Sequence, residues 1–123
     1  MLAMTQVLIV DDNPDIRRLL AISLGRDCAV GEAEDGPAAL ESIRQYQPKV
    51  VVLDVMMPGD LDGLQVLQAI KSNPQTNSIR VVMVSARGHV ADLDQARLLG
   101  ADAYFIKPFS PRQISAWVRE NLA

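Results

Sequence analysis

The chain has 123 residues, 49% of them hydrophobic and 22% charged, with a formal net charge of -3. This is the length of one ordinary domain with a single core, so one domain over residues 1–123 is expected. The acidic balance and the lack of any Lys/Arg run argue against direct nucleic-acid or membrane binding, and the apolar runs are far too short to span a bilayer.

In chain order, Val7 to Val10 is an unbroken apolar run, the pattern of a strand covered on both faces, and Asp11 and Asp12 follow it directly. Asn13 then offers an N-cap and Pro14 a first helical position for a helix that turns Ile16, Leu19, Leu20 and Leu24 to one side. A weaker strand fits Ala29 to Ala33. Asp35-Gly36-Pro37 opens a second helix carrying Leu40 and Ile43. Val50 to Leu53 is another unbroken apolar run and leads into Asp54. A third helix starts near Asp62, presents Val66, Leu67 and Ile70, and stops at Asn73-Pro74. Val81 to Val84 forms the last strong strand, with Ser85 after it. A helix fits Val90 to Leu99, a weaker strand Ala103 to Ile106, and a final helix Ser110 to Leu122 with Ile114, Trp117 and Val118 inward. Five strands alternating with five helices imply a doubly wound α/β fold, a five-stranded parallel sheet with right-handed crossovers and helices on both faces.

Parallel strands of such a sheet bring Asp11, Asp12, Asp54, Ser85 and Lys107 to one end, where open α/β sheets place their ligand sites. Carboxylates gathered there repel one another unless a cation or proton intervenes, and at an effective dielectric near 20 two unit charges about 4 Å apart cost about 4 kcal/mol. Hard carboxylate oxygens suit Mg²⁺. Asp12 and Asp54 are placed to bind it directly, Asp11 through water, and the backbone carbonyl of Met56 can add an oxygen for which the side chain does not matter. A carboxylate beside Mg²⁺, with an ammonium and a hydroxyl nearby, can attack a phosphoryl group, which would make Asp54 an aspartyl phosphate.

These residues resemble the receiver domain of two-component response regulators, and the resemblance covers essentially the whole chain. Its carriers are V-L-I-V-D-D-N, V-V-L-D-V-M-M-P-G, V-S-A-R and G-A-D-A-Y-F-I-K-P-F, in family order and near-family spacing. The resemblance implies the flavodoxin-like (βα)5 fold, Asp54 as phosphoacceptor, and Asp11, Asp12, Asp54 and the Met56 carbonyl as the Mg²⁺ site. It makes Ser85 and Lys107 the phosphoryl contacts and Ser85 and Tyr104 the switch pair. It also implies a cis bond between Lys107 and Pro108. In the family, a sensor histidine kinase or phosphotransfer protein supplies the phosphoryl group, and a downstream effector protein or domain reads the result, with a phosphorylation-linked homodimer as a further outcome. The domain is not an enzyme in the usual sense but assists its own phosphorylation and dephosphorylation. The output surface would be the fourth helix, fifth strand and fifth helix, including Arg87, Asp92, Arg97 and Tyr104. One departure is that Gly59-Asp60-Leu61 precede Asp62-Gly63, one residue more than the family usually has after Pro58. Metal ligation is expected to survive it, whereas the loop path and the start of the third helix are left open.

Each residue alone also has a plainer reading. Asp11 and Asp12 can serve turn and capping chemistry, Asp54 and Ser85 can satisfy backbone groups, Lys107 can be a surface lysine, and Asp60 a solvated loop acid. Only the constellation favours the phosphoacceptor. The alternative function is a phosphate-independent interaction module on the same fold. A flavin carrier would need a phosphate loop where Asp11-Asp12-Asn13-Pro14 stands, and a phosphohydrolase would need a second acid and a substrate cap. His89 is the only histidine, which rules out a His-rich metal site, and its position with Arg87 suggests tuning of phosphate lifetime. Cys28 is the only cysteine, expected buried and inert, and Met1 to Thr5 lacks the pattern of a signal peptide, so a cytoplasmic location is expected. Met4 is an alternative start. The chain stops soon after its last helix, so no output domain is expected within it.

Overall fold

The structure, a computed structural model, describes residues 5–26, 28–86 and 90–122. Arg87 and His89 therefore lie outside the described residues, as does Met4. Ten elements alternate along the chain: β1 (Val7–Val10), α1 (Pro14–Leu24), β2 (Val30–Ala33), α2 (Gly36–Tyr46), β3 (Val50–Asp54), α3 (Gly63–Ser72), β4 (Arg80–Ala86), α4 (Val90–Leu98), β5 (Ala103–Lys107) and α5 (Pro111–Leu122). The strands form one sheet in the order β2-β1-β3-β4-β5, every neighbouring pair parallel. This is the expected doubly wound arrangement.

Alternating side chains of the inner strands feed two separate cores, which is why their sequences show no polar face. Leu8 and Val10 of β1, Val51 and Leu53 of β3 and Val81 and Met83 of β4 pack on one face with Ile43, Val66, Leu67, Ile70 and Ala96 from α2, α3 and α4. Val7, Ile9, Val50, Val52, Val82 and Val84 pack on the other with Leu20 and Leu24 of α1 and Ile114 and Val118 of α5. Trp117 lies half-buried at the edge of this second core. Among the described residues no helix is long and apolar enough to cross a membrane.

The helix starts follow their sequence signals. Asn13 Oδ1 accepts from the N–H groups of Asp15 and Ile16 at 2.9 and 3.3 Å, and Asp35 Oδ1 accepts from Ala38 at 2.9 Å. Asp62 and Gln65 form a reciprocal capping box, so α3 begins at Gly63. Two expectations are corrected. Leu19, placed with the core residues of α1, is 48% exposed; Leu20 and Leu24, four apart, define the buried line, and Leu19 stands about 100° round the helix from Leu20. Cys28 is half-buried rather than buried, its thiol donating to the Leu24 carbonyl at 3.3 Å.

The loop between β3 and α3 is anchored where it leaves the sheet. Val55 donates to the Val84 carbonyl and Gly63 to the Val55 carbonyl, both at 2.9 Å. This draws the first turn of α3 so close to β3 that a Cβ on Gly63 would stand 2.0 Å from the Asp54 carbonyl oxygen and 2.7 Å from Val55 Cα. Both obstacles are backbone and cannot swing aside. Gly63→Ala is therefore expected to lose about 2–3 kcal/mol in urea unfolding, whereas Gly59→Ala, with open space around it, should cost less even at its φ of +92°.

Candidate functional site

Parallel register places the relevant residues side by side. Val10 lies opposite Leu53, Asp54 opposite Val84, Ser85 opposite Ile106, and Ala86 opposite Lys107. Asp11 and Asp12 leave the end of β1, Asp54 closes β3, Ser85 is the penultimate residue of β4, and Lys107 closes β5. The sequence-predicted residues are thus brought to one end of the sheet, beside the point where chain connections from β1 and β3 diverge to opposite faces.

Asp11, Asp12 and Asp54 each present a carboxylate oxygen within 4.8 Å of the others. Asp11 and Asp54 are only 2% and 4% exposed, while Asp12 faces solvent. Asp11 Oδ1 accepts from the Asn13 N–H at 2.8 Å, and Asp54 Oδ1 accepts from the Met56 N–H at 3.3 Å. The remaining oxygens of the buried pair face one ammonium: Lys107 Nζ stands 3.6 Å from Asp11 Oδ2 and 3.5 Å from Asp54 Oδ2. One cation against three carboxylates leaves the pocket negative. Burial, then the neighbouring charge of Asp11, pushes the Asp54 carboxyl up from 3.8 to about 7, against the opposing pull of Lys107 and the Met56 N–H. A small divalent cation with a taste for oxygen donors fits this donor set, since its charge would offset both the burial and the carboxylate repulsion that raise the Asp54 carboxyl.

The rest of the expected site is arranged around that cluster. Ser85 is fully buried. Met56 has its side chain exposed, consistent with a role resting on its backbone. Tyr104 points outward, 37% exposed, with its hydroxyl accepting from the Arg97 guanidinium, whose carbon lies 5.4 Å from the ring centroid. Asp60 is a solvent-exposed loop acid. The Lys107-Pro108 bond is cis, and Phe105 and Phe109 pack partly buried against the second core.

Two contacts were not visible in the sequence. Arg17 donates to the Asp11 backbone carbonyl at 2.8 Å, and Arg97 holds Tyr104. The first has a faint signal in the cations Arg17 and Arg18 about one helical turn past the acidic pair; the second has none, because it depends on how α4 lies relative to β5.

A five-stranded parallel sheet with buried acids and a lysine at its C-terminal end defines a doubly wound α/β domain with an acidic site at the strand ends. A family model described as the response regulator receiver domain matches residues 7–119, and the chain belongs to that family. It is 43% identical over 118 residues to "Probable transcriptional regulator ycf27" of Guillardia theta, covering 95% of this chain and 45% of that protein. It is 39% identical to the transcriptional regulatory protein ResD of Bacillus subtilis, covering 96% and 48%. Among solved structures it resembles the receiver domain of NtrX from Brucella abortus, with a TM-score of 0.87 and 34% identity over 94% of this chain and 97% of that one. The chain spans about half the length of the curated relatives it matches.

The raised Asp54 carboxyl carries a pH dependence. Between its ordinary range and about 7 the unfolded chain has released a proton that the native, metal-free protein still holds, so stability falls as pH rises through that interval and levels off above it. Urea midpoints measured in chelator should show this fall, and Asp54→Asn should flatten it and gain roughly 1–3 kcal/mol at pH 8.

Proposed function

We propose that Asp54 accepts a phosphoryl group from a phosphohistidine of a partner kinase or phosphotransfer protein. The observation that carries this reading is the buried Asp54 carboxylate facing the Lys107 ammonium at 3.5 Å within a three-carboxylate cluster. A carboxylate oxygen of Asp54 forms a bond to phosphorus as the phosphorus–nitrogen bond to imidazole breaks, and the departing nitrogen keeps the electron pair and takes a proton. Lys107 is placed to take up charge on the phosphoryl oxygens. Asp11, Asp12, Asp54 and the Met56 carbonyl would hold Mg²⁺, which when bound supplies positive charge against the incoming phosphoryl oxygens. In the same arrangement the domain assists its own phosphorylation and later hydrolysis of the acyl phosphate.

Ser85 and Tyr104 form the switch in this reading. The phosphoryl group draws the Ser85 hydroxyl toward Asp54, and Tyr104 moves inward, altering the face made of α4, β5 and α5 that a downstream effector or a second copy of the chain reads. A shift from 1:99 to 99:1 takes about 5.5 kcal/mol of differential stabilisation, within reach of several charge-assisted contacts. The chain then works as one receiver unit over residues 1–123 in the cytoplasm, with no direct nucleic-acid or membrane contact of its own.

Incubation with acetyl phosphate, read by intact mass, tests the chemistry. A gain of one phosphoryl group that requires Mg²⁺ and is lost in Asp54→Asn is expected, with Lys107→Ala slowing or abolishing it by at least ~100-fold. A folded, Mg²⁺-binding protein that gains no mass would instead favour the phosphate-independent module.

A further inference from the structure

The peptide joining Asp11 to Asp12 carries two of the cluster's three carboxylates, and it is held from outside the cluster. Arg17, in α1, donates from Nη1 to the Asp11 carbonyl at 2.8 Å and from Nε to Glu32 Oε1 at 3.1 Å. Glu32 lies on β2, in register with Ile9 of β1. The guanidinium is half-buried, with its side chain 18% exposed, and links α1, β2 and the end of β1. On the same residue the Asp11 N–H donates to the Ala33 carbonyl at 3.2 Å, and Oδ1 is occupied by Asn13. With the Asp11 carbonyl engaged by Arg17, the plane of the Asp11–Asp12 peptide is held through that carbonyl, while the N–H bond to Ala33 holds the preceding Val10–Asp11 peptide. Asp12 is exposed and draws on no side-chain hydrogen bond among the described residues, so its aim toward the cluster follows from that plane.

We infer that Arg17 is a positioning residue for the cation site: it orients the Asp11–Asp12 peptide so that both carboxylates converge with Asp54, and Glu32 in turn orients Arg17. The inference rests on the proposed metal site. Its sign separates it from simple electrostatics. A guanidinium near a cation site repels the cation, so on Coulomb grounds alone its removal tightens Mg²⁺ binding and its replacement by lysine changes nothing. Positioning makes the opposite demand. Two donors of the planar fork serve two acceptors at once, and the single ammonium of lysine, on a flexible stem, does not reproduce that geometry.

The test is calorimetric titration of the full chain with Mg²⁺ alone, comparing wild type with Arg17→Ala and Arg17→Lys, each with its fold checked by circular dichroism. Outer-sphere partners of metal ligands typically carry 10–100-fold in affinity. Arg17→Ala is expected to weaken Mg²⁺ binding about 10-fold, and Arg17→Lys severalfold in spite of its retained charge. Unchanged or tighter binding in Arg17→Ala, or wild-type affinity in Arg17→Lys, overturns the inference. If the alanine variant does not fold, the lysine variant decides. A wild-type protein that takes up no Mg²⁺ at millimolar concentration overturns the metal site itself and the inference with it, whereas wild-type binding matched by both variants overturns only the positioning role.

Discussion

Negative charge forced together at the end of a parallel sheet is the constraint around which this domain is built. Once β1 and β3 pair in register, the acids that follow Val10 and Leu53 are neighbours with little water between them. Lys107 offsets part of that charge from a distance. β4 separates its strand from β3, and strands lie about 4.8 Å apart, so the lysine must reach past the end of β4 to meet Asp54. The residue on β4 beside that path is a serine, small enough to leave room and polar enough to sit among charged groups. In the proposed function, the remaining imbalance is what would make the site receptive to a divalent cation and, through it, to a phosphoryl group.

Most of the fold was legible because the inner strands are covered on both faces. Val7 to Val10, Val50 to Leu53 and Val81 to Val84 serve two cores at once, and a run without polar alternation admits few other readings. The first three helices advertise their starts through Asn13, Asp35 and Asp62, each of which caps in the structure. Leu19 was less readable because α1 is apolar on more than its buried line, and exposed Leu19 and Ile22 look the same in sequence as the buried leucines. α4 buries only Leu93 and Ala96 among its hydrophobic residues with described burial, so its sequence carries a weak face and its docking against β4 and α3 could not be anticipated.

The site divides along the same line. Residues that sit at strand ends were found because strand, turn and acid are contiguous in the chain. Contacts that cross between elements were not: Arg17 meets Glu32 across 15 positions, and each residue read alone is an ordinary surface charge. The loop after Pro58 is settled by local chemistry at its far end. The capping box at Asp62 and the hydrogen bond from Gly63 to Val55 fix where α3 begins, and Gly59 and Asp60 before them are exposed.

The contact between Arg97 and Tyr104 has a consequence for the surface itself. In the outward position the tyrosine both accepts a hydrogen bond from the guanidinium and offers its ring to it, so a cation at the last turn of α4 keeps its charge but is partly covered. In the proposed switch, withdrawal of the ring would remove both contacts together. The resulting face would differ in electrostatic potential as well as in contour, and a carboxylate on an approaching protein would sense the change before the two surfaces touched.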